Sequence, residues 1–266
     1  MKLRRDETTD ARRRVPRFGT ALAEDQATVQ AAQRLRYRVF AAERSARQDT
    51  AAGVALDQDH FDPYCRHLVV RDTASGDVVG TYRILTPEGA RDAGGFYSET
   101  EFDLTRIRAL DLRLVEVGRA CVDPTYRGGA VIAMLLAGLT RYVVAERYDY
   151  VVGCASFDLR QGVAAAAAGC QQLLREHRGP DAWQAVPHKP FRPSEQPSAA
   201  PFIPPLVRTY LRLGATVCGE PAWDEAFATA DVLMMLPMAS MAPRFRARLL
   251  RDDPAGRPRR RTRWAA

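Results

Sequence analysis

The segment from Leu112 to Phe157 constrains the fold of this chain more than any other stretch. Its first part, Leu112 to Val122, is rich in Val and Leu and predicts a buried strand. The glycines after Arg127 begin an apolar stretch that predicts a helix, and Tyr150 to Ala155 predicts a second buried strand. Strand, helix and strand in this order form a βαβ unit, so we expect the two strands to be parallel.

Two charged residues, Glu116 and Arg119, interrupt the otherwise apolar first strand. Buried charges are unfavourable unless they are paired or used. Residues three apart point to opposite faces of a regular strand, but a bulge at Gly118 would bring both onto one face. The residues alone leave two readings open, a structural ion pair or part of a reactive site.

The turn before the predicted helix is a candidate phosphate site. Free N–H groups at a helix N-terminus attract phosphate, and glycines let the ligand approach the backbone. The residues of this candidate site are Arg127, Gly128, Gly129 and Ala130.

Elsewhere the pattern predicts a helix from about Asp25 to Ala46, a hairpin of Arg66 to Asp72 with Val78 to Leu85, and a helix from Val163 to Leu174. A proline-rich irregular segment from His177 to Pro205 precedes a short helix that Gly214 ends. Further strands are expected at Ala215 to Cys218 and Asp231 to Leu236, and a basic amphipathic helix at Arg244 to Arg251.

Several motifs in a fixed order carry a family resemblance. A strand, then V-D-P-x-Y-R-G-G, a helix and a strand is similar to the acyl-CoA-binding core of the GNAT N-acyltransferases. E-V-G-R, C-V-D-P-x-Y-R and G-C-A-S-F, with R-Y-R-V-F and D-Q-D-x-F-D upstream and P-P-L-V-R-x-Y-L-R-L-G-A and A-D-V-L downstream, resemble the bacterial L-ornithine N-acyltransferases of ornithine-lipid synthesis. Those enzymes are similar in turn to acyl-homoserine-lactone synthases. The resemblance covers roughly Arg34 to Leu236.

The resemblance implies an α/β fold of the GNAT type, a mixed central sheet flanked by helices. It also implies an enzyme, an acyltransferase that moves a (3-hydroxy)fatty acyl chain from acyl carrier protein to the α-amine of L-ornithine and gives lyso-ornithine lipid. In such folds the thioester lies between two splayed parallel strands. Glu116 is then the candidate general base, and Arg119 either pairs with it or contacts the donor.

Candidate substrate-binding residues lie on several elements. By resemblance, Arg36 packs beside the donor site, and clustered aspartates are suited to a cationic amino acid. The spacing of those aspartates lacks the glycine and glutamate of a calcium loop, so no metal is expected. Ordinary turn formation, ion pairing and strand capping remain the alternatives. The candidate residues are Arg36, Asp57, Asp59, Arg83 and Ser156.

The glycine loop departs from the usual acyl-CoA pattern, R/Q-x-x-G-x-G/A. Ala130 and Ile132 stand at the two later glycine positions, so the loop is less open to a pyrophosphate. The phosphopantetheine arm of a carrier protein has a single phosphate. We therefore expect acyl carrier protein rather than CoA as the donor, with its thioester as co-substrate and no further cofactor.

The net charge of +7 is concentrated at the chain ends. Met1 to Arg17 has seven basic and three acidic residues, and Pro243 to Ala266 has nine and two, which leaves a net acidic body. This distribution argues against nucleic-acid binding. It predicts a flexible arm over residues 1–23 and a basic tail over 243–266. The acyltransferase domain that the resemblance implies is expected over residues 24–242 between them.

The basic ends suggest contact with acidic carrier proteins or with anionic lipid, aided by Phe245, Leu249, Leu250 and Trp264. No apolar run reaches the roughly 20 residues that span a bilayer, and the N-terminus has no apolar signal region. We expect a cytoplasmic protein, with peripheral contact at the inner membrane face as a further option.

Three alternatives remain open. The first is an acyltransferase that acts on another amino acid, or one that forms a lactone as the signalling synthases do. A second reading is a non-catalytic GNAT-like module that binds a carrier protein or a membrane. A basic nucleic-acid binder is the third.

Overall fold

The computed structural model describes residues 17–44, 55–193 and 199–251. The strands in these ranges are β1 (Phe18–Leu22), β2 (Cys65–Asp72), β3 (Val78–Leu85), β4 (Phe102–Asp103), β5 (Leu114–Val122), β6 (Tyr150–Asp158), β7 (Val186–Pro187), β8 (Thr216–Val217), β9 (Ala222–Asp224) and β10 (Thr229–Pro237). The α-helices are α1 (Gln26–Arg44), α2 (Pro87–Asp92), α3 (Thr105–Arg108), α4 (Ala130–Ala145), α5 (Val163–Glu176), α6 (Pro205–Leu213) and α7 (Pro243–Arg251).

The central sheet is mixed and has the order β1-β2-β3-β5-β6-β10-β8, with β9 also paired to β10. Its neighbours are antiparallel except for β5 and β6, which are parallel. The predicted βαβ unit and the β2–β3 hairpin are therefore confirmed. β4 and β7 form a separate two-stranded ladder.

Helices cover both faces of the sheet because the strands are apolar on both faces. Leu68 and Val70 of β2 pack on the side of α4, whereas Val69 between them packs against Leu35 of α1. Alternate residues of a strand point to opposite faces, so β2 and β3 are buried on both sides. The predicted helices at α1, α5 and α6 are confirmed, and Gly214 ends α6 in the left-handed conformation, with a φ of 102°.

The parallel pairing of β5 and β6 is short. Leu114 to Glu116 pair with Tyr150 to Val152, and beyond Glu116 each strand pairs only with its antiparallel neighbour, β3 or β10. The strands therefore open into a V at their C-terminal ends. This splay positions the candidate site.

Two predicted boundaries are wrong. The arm expected over residues 1–23 includes β1, which pairs with β2 from Phe18 to Leu22. The tail expected from residue 243 begins with α7, whose Phe245 and Leu249 pack on the core cluster beside α4. These two side chains are therefore used inside the fold, and Trp264 lies outside the described residues. None of the helices in the described ranges is long and apolar enough to cross a membrane.

Candidate active site

A cavity of about 690 Å³ lies in the V between β5 and β6. Its wall includes Gly118 and Ala120 of β5 and Gly153 and Ala155 of β6. Small residues at these positions leave room between the strands for a ligand. The cavity has an apolar part formed by the helices and a polar part on the other face of the sheet.

The apolar part lies among α4, α6 and the segment that follows β10. Its lining side chains are aliphatic or thioether groups, namely Leu136, Leu139, Val143, Leu206, Val207, Leu213, Met234, Leu236, Met238 and Met241. The hydroxyls of Tyr82 and Tyr210 hydrogen-bond each other here. Such a lining suits an alkyl chain, because burial removes its apolar surface from water.

The polar part rests on a network of ion pairs. Arg36 pairs with Asp57 at 2.9 Å and with Asp62 at 2.6 Å. Arg83 pairs with Asp59 at 2.6 Å and with Asp62 at 2.9 Å. Burial opposes the ionisation of Asp59, but the guanidinium groups of Arg83 and Arg119 hold the pKa of its carboxyl well below its usual range.

This network corrects the interpretation of Asp57 and Asp59 as partners of a cationic substrate. Arginines already neutralise both carboxylates, and neither aspartate is among the residues that line the cavity. Arg36 is fully buried behind the cavity wall, so it supports the structure of the site and does not contact the cavity. Arg83 lines the cavity, and its Nη1 donates hydrogen bonds to Asp59 and Asp62, while its role in substrate binding stays a prediction.

Glu116 is buried at the cavity wall and anchors a neighbouring turn. Its two oxygens accept hydrogen bonds from the backbone N–H groups of Tyr97, at 2.6 Å, and Ser98, at 2.8 Å. Burial raises the pKa of Glu116, and the hydrogen bonds from Ser98 and Tyr97 oppose that rise. The structure thus gives Glu116 a positioning role, while its role as a base stays a prediction.

Arg119 itself carries the irregularity predicted at Gly118. Its φ is 53°, and two residues of β5, Arg119 and Ala120, lie opposite the single Tyr82 of β3. This bulge turns Arg119 toward Asp59, with an N–O distance of 3.1 Å, instead of toward Glu116. A left-handed non-glycine residue costs on the order of 1–3 kcal/mol, which the surroundings must offset.

The guanidinium of Arg119 lies between the rings of Tyr97 and Phe227, 5.4 Å from each centroid. Its Nε is buried at the cavity and has no hydrogen-bond partner among the described residues. A carboxylate or carbonyl oxygen of a ligand would complete its bonding.

The predicted phosphate turn lies at the N-terminus of α4, at the open end of the V. Gly129 caps the helix with a φ of 92°, and a side chain there would be strained. Gly128 and Gly129 are exposed, and apart from their chain neighbours no heavy atom of the described residues lies within 4 Å of where a Cβ would stand. Arg127 lines the cavity mouth. The geometry is compatible with phosphate binding, which stays a prediction.

A second acidic group, absent from the sequence prediction, lines the polar part. It consists of Glu101, Asp224 and Asp231, which we call the acidic trio. Ser156 also lines the cavity, opposite Asp231 in the β6–β10 register. Asp231 interrupts a buried strand as Glu116 does, and the same argument would have marked it.

The residues 35–137 match the acetyltransferase (GNAT) domain family. A curated L-ornithine N(alpha)-acyltransferase of Brucella abortus is 39% identical over 251 residues, which are 87% of this chain and 88% of that protein. A protein of the same name from Agrobacterium fabrum is 37% identical over 249 residues, 87% of this chain and 85% of its own.

Among solved structures, the CoA-dependent acyl-homoserine lactone synthase MesI superposes with a TM-score of 0.51 at 12% identity. The match covers 87% of this chain and 95% of that one. At this identity the similarity concerns the fold, and it confirms the GNAT-like mixed sheet.

Proposed function

Because the chain belongs to the L-ornithine N(alpha)-acyltransferase family, we propose that it transfers a (3-hydroxy)fatty acyl chain from acyl carrier protein to the α-amine of L-ornithine. The product is lyso-ornithine lipid. The observation that carries this proposal is the continuous cavity through the β5–β6 splay, which joins an alkyl-lined part to a charged part.

The proposed reaction forms one N–C bond and breaks one C–S bond. The neutral α-amine attacks the thioester carbonyl, the adduct collapses, and the carrier thiol leaves with the proton that the amine gives up. Arg119 is suited to hold the acceptor carboxylate through its unpartnered Nε. Glu116 takes the amine proton through a water, since each of its oxygens keeps a further lone pair.

The donor is proposed from the shape of the phosphate turn. One phosphate fits the free N–H groups at the start of α4, and the glycines at 128 and 129 leave the backbone open. Ala130 and Ile132 stand where the usual CoA loop has glycines. A carrier protein brings one phosphate and no ADP group, which fits a turn with alanine and isoleucine at these positions.

Mass spectrometry tests reaction, donor and acceptor together. The purified chain is mixed with 3-hydroxyacyl carrier protein and an equimolar mixture of amino acids, and in parallel with the matching acyl-CoA at the same concentration. We expect acyl-ornithine, formed faster from the carrier protein. An equal or better rate from acyl-CoA would refute the donor, and acylation of another amino acid would refute the acceptor.

The arginine-rich segments 1–16 and 252–266 lie outside the described residues. We propose that they bind acidic carrier proteins or the anionic inner face of the cytoplasmic membrane. A truncation after Arg251 retains α7, which packs on the core. We expect the truncated chain to lose co-sedimentation with anionic vesicles at low salt. Equal co-sedimentation of truncated and full chains would exclude this role for the C-terminal segment.

A further inference from the structure

The acidic trio gathers three carboxylates from three separate segments. Glu101 follows the turn at Tyr97–Thr100, Asp224 ends β9 and Asp231 lies within β10. One oxygen of each lies within 4.8 Å of the other two, and all three residues line the cavity.

Glu101 and Asp231 lack the hydrogen-bond donors that Asp59 and Asp62 possess, whereas Asp224 accepts one hydrogen bond, from the backbone N–H of Phe227 at 3.1 Å. Asp231 is only 4% exposed, yet its Oδ1 has no hydrogen-bond partner among residues 17–44, 55–193 and 199–251. Both oxygens of Glu101 are buried and likewise have none in these ranges. Arg83 and Arg119, which lie in the polar part of the cavity, form their ion pairs with Asp59 and Asp62 and not with the trio. Asp59 and Asp62, in contrast, are each held by two arginines.

Unmatched carboxylates in a buried site repel one another. Burial raises the pKa of Glu101 to about 9, and Asp231 beside it adds to the rise. Burial also raises the pKa of Asp231. A cation placed among the three would remove the repulsion and supply the missing donors.

We propose that Glu101, Asp224 and Asp231 bind the side-chain ammonium of the acceptor amino acid and so select ornithine among amino acids. This inference rests on the proposed function and deepens it. A primary ammonium has three N–H donors and no acceptor, which matches three carboxylates that converge from three sides.

The position of the trio fits the length of the acceptor. Asp231 pairs in register with Ser156, which lies in the splayed part of β6 and lines the cavity. Adjacent strands are about 4.8 Å apart, a distance that a three-methylene side chain spans. The δ-ammonium can therefore rest in the trio while the α-amine lies at the opening between β5 and β6.

The experiment compares L-ornithine with L-norvaline, which has the same carbon chain and α-amine but no δ-amine. We measure kcat/KM for both with the wild-type chain, Asp231→Asn and Glu101→Gln. The wild type should prefer ornithine by at least about 100-fold, and each variant should reduce that ratio by about 10- to 100-fold. Glu220→Gln removes one exposed carboxylate outside the cavity and should leave the ratio unchanged.

A binding measurement separates the two levels of the proposal. In calorimetry, ornithine should bind the wild type more tightly than norvaline, and Asp231→Asn should abolish the difference. If the wild type makes acyl-ornithine but both variants keep the full ornithine preference, the trio is not the ammonium site although the function stands. If no acyl-ornithine forms, the proposed function fails first.

The competing ligand is a divalent cation, because carboxylate oxygens also suit Ca²⁺ or Mg²⁺. A thermal shift with CaCl₂ or MgCl₂ that Asp231→Asn removes, together with an unchanged ornithine preference in that variant, would overturn the proposal in favour of a metal site. Absence of a metal-induced shift, together with loss of the preference, would support the ammonium site.

Discussion

A methyl group added at Gly153 should disturb the origin of the β5–β6 splay. A Cβ at this position would lie 2.2 Å from the carbonyl oxygen of Val117. Real Cβ atoms do not approach other atoms within 3.0 Å, and the obstacle here is backbone rather than a flexible side chain. In Gly153→Ala the two strands must therefore separate by about 1 Å at the point where they begin to diverge.

Overpacking of this kind costs about 1–3 kcal/mol. For a domain of this size each kcal/mol lowers Tm by about 2–4 °C, so Tm should fall by about 2–12 °C. Differential scanning fluorimetry and urea unfolding measure the change. Gly118→Ala is the matched control, because Gly118 lies across the same V with no atom within 4 Å of its added Cβ and a φ outside the left-handed region. The control should be neutral or slightly more stable, by about 0.4–1 kcal/mol.

Gly153→Ala should also change the function. A wider V displaces the backbone that surrounds the proposed thioester, so kcat/KM for the acyl donor should fall at temperatures where Gly153→Ala is fully folded. If Gly153→Ala were as stable as Gly118→Ala, the close approach of Gly153 to Val117 would not limit the strand spacing, and this account of the splay would be refuted.

Three further predictions concern charged residues. Glu116→Gln leaves one backbone N–H without an acceptor, so the variant should lose about 1–3 kcal/mol of stability. If kcat of the folded variant fell by less than tenfold, Glu116 would not be the general base. Arg36→Met leaves Asp57 and Asp62 buried with fewer partners and should cost about 3–5 kcal/mol in urea unfolding, whereas Arg34→Met, exposed on the same helix, should be near neutral. The ligand-free fold binds a proton at Glu101 more tightly than the unfolded chain, so stability should fall as pH rises from about 4.5 to about 9; Glu101→Gln should flatten that fall, and an unchanged slope would contradict the buried carboxylate.

The sequence predicted the donor half of the site better than the acceptor half. Periodicity and the glycine turn are local signals, so the βαβ unit and the position of Gly129 at the start of α4 followed from them. The unusual charges in β5 were also visible, since an apolar strand makes Glu116 and Arg119 stand out.

Partner choice among the charges could not be predicted, because it depends on long-range packing. Arg119 lies three residues from Glu116 but pairs with Asp59, sixty residues away, since the bulge reverses its direction. The acidic trio is likewise assembled from positions 101, 224 and 231, which no local pattern connects. The two misplaced ends have different origins. The basic composition hid the short strand at Phe18–Leu22. The amphipathic helix at the other end was predicted, but its apolar residues were assigned to lipid contact although Phe245 and Leu249 pack on the core.

The acidic trio differs from the pair Asp59 and Asp62 in its ion pairing. This difference would explain why the α-amine of ornithine reacts and the δ-amine does not. Attack requires a neutral amine, but a free carboxylate beside an amine favours its ammonium form. Asp59 and Asp62 lie near Arg119 and are neutralised by arginines, so they do not stabilise an ammonium at the opening between the strands. Arg83 and Arg119 form their ion pairs away from the trio, which would keep a bound δ-amine charged and unreactive. The α-amine would then react selectively, because the carboxylates near it are paired with arginines whereas those around the δ-amine hold it as an ammonium.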